Sequence, residues 1–272
     1  MSATSKRLVV NADDFGFTRD VNSGIAEAHR RGILTATTLM ANGAAFEDAV
    51  RLARENPALD VGCHLVLVGG ESIARPGTAL PASLAELLRA AALRRIQIYE
   101  ELAAQVRRIE AAGLRPTHLD THKHTHILPP VLAAVARVSE EFRIPWVRRP
   151  FDFPMHAGGV PWSRRMVSRG LGVLRKRFDA ALARRGCRST DHFAGFRMTG
   201  RFRTPELAGL IGQLPPGSTE FMCHPGHCTD ELRAARTRLK QSRETELEAL
   251  TAPEIRRALE RAGVELASYR EL

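Results

Sequence analysis

Apolar, β-branched runs alternate with helical patterns along most of this chain. Strands are predicted at Arg7 to Ala12, Leu34 to Met40, Asp60 to Val66, Pro116 to His122, Ile144 to Arg148, His192 to Phe196, Thr219 to Cys223 and Val264 to Tyr269. Helices are predicted at Asp20 to Arg31, Ala45 to Glu55, Ser83 to Ala112, Pro130 to Phe142 and Pro205 to Gln213, and across Glu231 to Arg261. This alternation favours parallel strands joined by right-handed crossovers. We therefore predict an α/β fold, most simply a (β/α) TIM-like barrel of seven or eight mainly parallel strands, with an open doubly wound sheet as the alternative.

The chain length suits one barrel. We expect a single domain over residues 1–272, because 272 residues are enough to bury one large core. Two stretches with weaker motifs, near 69–115 and 151–190, are expected to be insertions into that domain.

Net charge, cysteine content and the lengths of apolar stretches indicate the class of binding partner and the cellular compartment. Lys and Arg number 40 against 30 Asp and Glu, and the resulting formal charge of +10 suits an acidic partner. The four cysteines form no C-x-x-C pair and are expected to be reduced. No apolar signal segment precedes the first strand and no stretch reaches the length of a membrane span, so we predict a cytoplasmic protein.

Histidines are concentrated in the fourth predicted strand and the residues just after it. The even-numbered positions of this run are His118, Asp120, His122, His124 and His126. If the run is extended, all five side chains share one face, because a strand repeats every two residues. Imidazole is a common ligand of divalent metals, so the pattern favours a metal site over a core face. The alternative is a polar strand edge with solvated rings.

Asp and His also follow other predicted strands. Asp13 and Asp14 end the first strand, His64 the third and His224 the penultimate one. Carboxyl ends of parallel strands meet at one rim, where active sites of such folds lie. Adjacent aspartates point in different directions along a strand, so one can bind a metal while the other acts as a general base. The alternative for the pair is an Asx-turn or a helix cap.

Two His and one carboxylate leave coordination positions open for water and substrate, as in catalytic metal sites. Asp14, His64 and His122 provide such a set, and His224 is interpreted as a general acid across the site from Asp13. A compact zinc knot formed by Cys223, His224, His227 and Cys228 is the competing interpretation, disfavoured by its crowded spacing.

A basic segment from Trp162 to Arg188 has apolar residues at helical spacing. Its membrane-surface candidates are Arg164, Arg165, Arg169, Arg175, Lys176 and Arg177. A cationic amphipathic helix can lie in an anionic membrane interface. The alternative is a helix packed on the barrel with a solvated basic face. Nucleic-acid binding is disfavoured, because aromatic residues that could stack on bases are few.

Several motifs, in one order along nearly the whole chain, resemble the YdjC-type carbohydrate deacetylases. The matching segments are Val-Val-Asn-Ala-Asp-Asp-Phe-Gly at 9–16, Gly-Ile-Leu-Thr-Ala-Thr-Thr-Leu-Met-Ala-Asn-Gly at 32–43, Val-Gly-Cys-His-Leu at 61–65, Pro-Thr-His-Leu-Asp-Thr-His-Lys-His-Thr-His at 116–126, Met-Cys-His-Pro-Gly at 222–226 and Ser-Tyr-Arg at 268–270. The resemblance implies a deformed (β/α) barrel, one divalent metal ion (zinc or magnesium) and removal of acetyl from an N-acetylated amino sugar.

The resemblance also implies roles for single residues. It makes Asp14, His64 and His122 the metal ligands, Asp13 the base and His224 the general acid. The residues expected to hold the ligands or to contact substrate are Asp120, His124 and His126.

Within the family the chain looks most like the hopanoid-biosynthesis (HpnK-type) deacetylase. The supporting features are Val66-Leu67-Val68 after His64, Lys123 within the histidine run, and the basic middle segment. The expected substrate is then an N-acetylglucosaminyl hopanoid lipid, met at the inner membrane through peripheral contact. The alternatives are a soluble chito-oligosaccharide such as diacetylchitobiose, a metal-dependent hydrolase of another bond, and a non-enzymatic basic module that binds membrane or nucleic acid.

Overall fold

Eight parallel strands form one curled sheet in the computed structural model, which describes residues 5–154 and 175–272. The strands are β1 (Lys6–Phe15), β2 (Ala36–Leu39), β3 (Asp60–Leu65), β4 (His118–Thr121), β5 (Trp146–Val147), β6 (His192–Ala194), β7 (Gly217–Cys223) and β8 (Val264–Leu266). Seven of them follow the order β5-β4-β3-β2-β1-β7-β6, and β8 pairs with the first residues of β1. A bridge between Asp152 and Phe193 connects the backbone after β5 to β6. The predicted α/β fold, a deformed barrel, is confirmed.

Helices cover the outside of this sheet. They are α1 (Arg19–Arg31), α2 (Phe46–Glu55), α3 (Leu84–Ala92), α4 (Ile98–Ala111), α5 (Pro129–Phe142), the helical residues 175–183 (α6), α7 (Thr204–Gly212), α8 (Asp230–Ala234), α9 (Gln241–Thr251) and α10 (Pro253–Ala262). Local chemistry explains several boundaries. Thr18 caps α1 by accepting from Val21 N, and Gly263 ends α10 in the left-handed conformation. The long helix predicted from Ser83 to Ala112 is two helices, separated by a turn that contains Arg94 at φ 53°.

The histidine run is not one extended strand. β4 ends at Thr121, and residues His122–Ile127 turn as a 3-10 segment in which Lys123 and His124 have φ of 57° and 52°. Thr121 Oγ1 accepts a hydrogen bond of 3.1 Å from His126 N, which satisfies a backbone donor freed by the turn. The expectation of one shared histidine face through residue 126 is therefore wrong, because the chain must turn here to enter α5.

The basic segment lies partly outside the described residues. Arg164, Arg165 and Arg169 are among residues 155–174, which the structure does not describe. In α6, Arg175, Lys176 and Arg177 are exposed, whereas its apolar residues Phe178 and Leu182 are buried in the core. For this part, the contacts favour the interpretation of a helix packed on the barrel. No helix within residues 5–154 and 175–272 is both long and apolar enough to cross a bilayer.

A close approach between two glycines fixes the loop that follows β7. A Cβ placed on Gly24 of α1 would lie 2.4 Å from the Cα of Gly226, far inside van der Waals contact. The same loop is held by hydrogen bonds from Gly226 N to Arg243 O (3.2 Å) and from His227 N to Asp20 O (3.1 Å). The loop that carries His224 therefore depends on the absence of a side chain at residue 24.

We predict that Gly24→Ala lowers the free energy of unfolding by about 1–3 kcal/mol, because backbone must move to admit the methyl group. Gly209→Ala in α7 is the matched control, since a Cβ there meets nothing within 4 Å. Removing a helical glycine at an open position should raise stability by up to about 1 kcal/mol. Urea titration of both variants measures the difference, and equal stabilities would contradict the prediction.

Candidate active site

A bulge at the end of β1 aims both of its aspartates into the site. The register of β1 against β2 shifts between Ala12 and Phe15, and Asp14 has φ 70°. A regular strand would have turned adjacent side chains to opposite faces, as expected from the sequence. The left-handed residue instead lets Asp13 and Asp14 both reach the rim, and bulges of this kind are frequent beside active sites. Both carboxylates are buried.

Asp14, His64 and His122 bring three donor atoms together. His64 Nε2 lies 3.4 Å and His122 Nδ1 3.3 Å from Asp14 Oδ1, and the two ring nitrogens lie 3.3 Å apart. The triangle has roughly the edge length of a tetrahedron with metal bonds of about 2.0–2.1 Å. Two imidazoles and one carboxylate also match the ligand types of a catalytic zinc site. The donors therefore fit a divalent cation.

The charge balance of the surroundings also fits a cation. The buried ionisable groups here are the carboxylates of Asp13, Asp14, Asp120 and Glu220 and the guanidinium groups of Arg148 and Arg243. A histidine that binds a cation is neutral, so once His64 has lost its proton the four negative charges exceed the two positive ones by two in this buried site. Uncompensated buried charge is costly, so a doubly charged cation would stabilise this arrangement.

Asp120 orients His64. Its Oδ1 lies 2.7 Å from His64 Nδ1, which leaves Nε2 to face the other donors. Thr38 Oγ1 donates to the other Asp120 oxygen at 3.1 Å. Burial alone would lower the pKa of His64, but the charge and hydrogen bond of Asp120, helped by Asp14, raise it to about 10. Asp120 contacts the ring nitrogen of His64 that faces away from Asp14 and His122. This is the position of a carboxylate that supports a metal-binding histidine, the role predicted for Asp120.

Asp13 is held by a buried arginine. Arg148 donates to its two oxygens at 2.7 and 2.8 Å. Burial would raise the pKa of Asp13, but the charge and hydrogen bonds of Arg148 hold it well below its usual range. Asp13 is therefore ionised and fixed in orientation, and it does not belong to the Asp14–His64–His122 triangle.

His224 lies across the site from Asp13, with Nε2 3.9 Å from Asp13 Oδ2. Burial lowers the pKa of His224 to about 4, although nearby carboxylates oppose the shift. Its ring is therefore neutral at neutral pH. Glu246 of α9 accepts hydrogen bonds from His224 N (2.6 Å) and Gly200 N (2.7 Å), which fixes the backbone that carries the histidine.

The remaining histidines of the run have different surroundings. His126 is buried between Thr121 Oγ1 (2.5 Å) and the Arg148 carbonyl (3.1 Å), and burial lowers its pKa to about 3. His124 contacts the rings of Phe193 and Phe196, and burial lowers its pKa well below the usual value. His126 therefore connects the turn after β4 to the backbone of Arg148, whereas His124 packs against aromatic side chains.

His118 belongs to the packing beneath the site. Its ring stacks on Tyr269 at 4.0 Å and its Nε2 lies 3.2 Å from Asn11 Oδ1. Cys223 is a buried free cysteine, as is Cys228, and neither belongs to a candidate ligand group among the described residues. The alternative of a cysteine-histidine zinc knot receives no support from this geometry.

Sequence reasoning missed the arginines and one glutamate of the site. Arg148 is the last residue of the predicted strand Ile144 to Arg148, and its charge directly after Trp-Val was the available signal. Arg243, whose guanidinium donates to Asp14 Oδ2, and Glu246 lie in α9 among many exposed charges. No local pattern distinguishes these two from their neighbours, although both are buried.

Comparison with known proteins identifies the family of this chain. Residues 7–261 match the family described as YdjC-like protein. The chain belongs to the YdjC-like family. A carbohydrate deacetylase of Brevibacillus brevis is 35% identical over 98% of this chain and 99% of its own. A carbohydrate deacetylase of Geobacillus stearothermophilus is 34% identical over 97% and 96%, respectively.

A solved structure shares the fold of this YdjC-like chain over nearly its full length. The protein, from Enterococcus faecalis, is provisionally described as a cellobiose-phosphate cleavage protein. The TM-score is 0.77 at 26% identity, with 98% of each chain covered. The family resemblance found in the sequence motifs is thus confirmed.

We predict that zinc affinity rises with pH by up to about tenfold per unit between about pH 6 and about pH 9. The pKa of His64 is raised to about 10, so its proton must leave when a cation binds, and removal is easier at higher pH. Calorimetry in buffers of different ionisation enthalpy measures both the affinity and the proton released.

Asp120→Asn should flatten this pH dependence, because Asp120 is the main group that raises the pKa of His64. Asp60→Asn is the matched control. Asp60 is another buried carboxylate, but it lies at the opposite end of β3 and binds Thr117 at 2.7 Å. A wild-type affinity independent of pH would refute the coupling to His64.

Proposed function

We propose that this YdjC-like chain is a metal-dependent de-N-acetylase, which hydrolyses the acetamide of an N-acetylated amino sugar to acetate and a free amine. The observation that carries the proposal is the donor triangle of Asp14, His64 and His122 beside an ionised Asp13 and a neutral His224. Its relatives named carbohydrate deacetylase support the choice of reaction and of substrate class.

A divalent cation held by Asp14, His64 and His122 would supply Lewis-acid chemistry, lowering the pKa of water and polarising the acetamide carbonyl. Nitrogen-rich donors favour zinc over magnesium, which prefers oxygen ligands. Arg243 occupies the second oxygen of Asp14, so that carboxylate offers Oδ1 to the ion.

Asp13 and His224 divide the proton transfer between them. Asp13, held by Arg148, accepts a proton from the attacking water. Because the pKa of Asp13 is well below that of His224, the proton then moves readily to the histidine, directly after a small shift or through one water across 3.9 Å. His224 delivers it to the departing amine, so the C–N bond breaks with a neutral leaving group.

The proposed substrate is an N-acetylglucosaminyl hopanoid lipid. This choice is supported by the likeness of the Val66-Leu67-Val68 and Lys123 segments to the hopanoid-biosynthesis deacetylase. A soluble oligosaccharide such as diacetylchitobiose is the second candidate, favoured by the relatives' names and by the Enterococcus protein.

Acetate release from both compounds tests the proposal, with chelator-treated protein to which zinc, cobalt or magnesium is restored. Metal-dependent acetate from the lipid supports the full proposal, and acetate from diacetylchitobiose alone would remove the hopanoid. No acetate from either compound would refute deacetylation of these two sugar classes.

We predict that Asp13→Asn lowers kcat by roughly two to four powers of ten and leaves zinc stoichiometry unchanged. The variant should fold, because Arg148 keeps its ion pairs with Asp120 and Glu220, each at 2.7 Å. Glu220→Gln is the matched control. It removes another carboxylate partner of Arg148 lower in the barrel and should lower kcat by less than about tenfold. Full activity of Asp13→Asn would remove this residue from the mechanism.

A further inference from the structure

Three leucines are the exposed large apolar side chains of the part of the chain that the structure describes. Leu84, Leu88 and Leu93 are 46, 47 and 51% exposed, and all lie in α3 or directly after it. Leu87 of the same helix is only 1% exposed and belongs to the main core. Leu84 and Leu88 are one helical turn apart and therefore adjacent on the helix surface, and their exposure places them at the solvent side of α3. We call Leu84, Leu88 and Leu93 the leucine face, and Leu87 anchors the helix that carries it to the core.

Chain connectivity places the leucine face at the rim of the barrel that carries the site. β3 ends one residue after His64, and the segment 66–83 connects its carboxyl end to α3. It precedes α4, which returns along the barrel toward the start of β4. Both connections meet α3 at the same end of the barrel, and that end contains Asp14 and His122.

Basic side chains accompany the leucines. Arg89, Arg94 and Arg95 are exposed, and none forms an ion pair or side-chain hydrogen bond with another described residue. Residues 84–95 contain these three arginines and one acidic residue, Glu86, which leaves a formal charge of +2 on α3 and the turn after it. Glu71, Glu86 and Glu101 accept hydrogen bonds from backbone nitrogens of the segment, and Glu100 is exposed. The surface of residues 84–95 therefore combines exposed leucines with a net positive charge, whereas the glutamates at 71, 100 and 101 belong to the adjoining stretches.

We propose that α3 and the turn after it dock on an anionic phospholipid bilayer. The leucines would enter the interfacial region while the arginines contact lipid phosphates, the arrangement of an interfacial amphipathic helix. A second copy of this chain fits less well, because paired faces would bring like charges together on molecules of net charge +10. Docking would direct the site-bearing rim toward the membrane, and it does not depend on which substrate is hydrolysed.

Flotation with lipid vesicles tests the proposal without measuring activity. The full chain is mixed with vesicles of phosphatidylcholine alone or of equal parts phosphatidylcholine and phosphatidylglycerol. One variant, L84S/L88S/L93S, removes the leucine face. A second variant, R89Q/R94Q/R95Q, removes the unpaired charges and keeps the leucines.

A third variant, R31Q/R257Q/R261Q, is the matched control. It removes three exposed arginines from α1 and α10, of which Arg31 and Arg261 lie in the last turns of these helices, at the opposite end of the barrel. Its net charge equals that of the second variant, so any effect of total charge is the same in both.

We expect binding to the anionic vesicles that falls at least about tenfold in each α3 variant and changes little in the control. Thermal unfolding should be similar for all proteins, since the altered side chains are exposed. An equal loss in the control would overturn the proposal in favour of non-specific charge attraction. It would also be overturned by leucine-independent binding, by absence of binding to either vesicle, or by a dimer that dissociates in the leucine variant.

Discussion

Arg148 is the shared buried cation on which the arrangement of the site depends. Its guanidinium lies within 2.7–2.8 Å of carboxylate oxygens from three strands, with Asp13 on β1, Asp120 on β4 and Glu220 on β7. Without it these carboxylates would repel one another in a region almost free of solvent. The backbone of the same residue is also bound, since its carbonyl faces His126. One side chain therefore ties β4 to β1 and β7, two neighbouring strands with which β4 does not pair.

Each of the two adjacent aspartates has its own arginine. Asp13 pairs with Arg148 and Asp14 with Arg243, so in the proposed mechanism one carboxylate serves proton transfer while the other offers a single oxygen beside His64. The left-handed φ of Asp14 makes this division possible, because it allows neighbouring residues to enter one cavity from different directions. Strain at that residue is offset by the ion pair and by the donors around it.

The rim of the barrel that carries the candidate active site also carries the exposed leucine face. The connection from β3 to α4 begins two residues after His64 and contains the leucine face of α3. A membrane-bound glycolipid would reach the site by the route that docking of α3 provides. A soluble disaccharide would enter the site directly from water and would not require α3 to contact a membrane.

The sequence alone was sufficient for the order of strands and helices, for the family, and for the positions of Asp13, Asp14, His64 and His224 at the carboxyl ends of their strands. These features depend on local periodicity, on caps such as Thr18, and on the rule that parallel strands direct their carboxyl ends to one rim. Only the tertiary structure decided the pairings with Arg148 and Arg243, which join residues 135 and 229 positions apart. It also decided the bulge at Asp14 and the turn after Thr121, which redirect side chains that a strand pattern assigns to fixed faces. The physical reason is that a buried charge is stable only beside its partner, and no local pattern records which distant side chain that partner is.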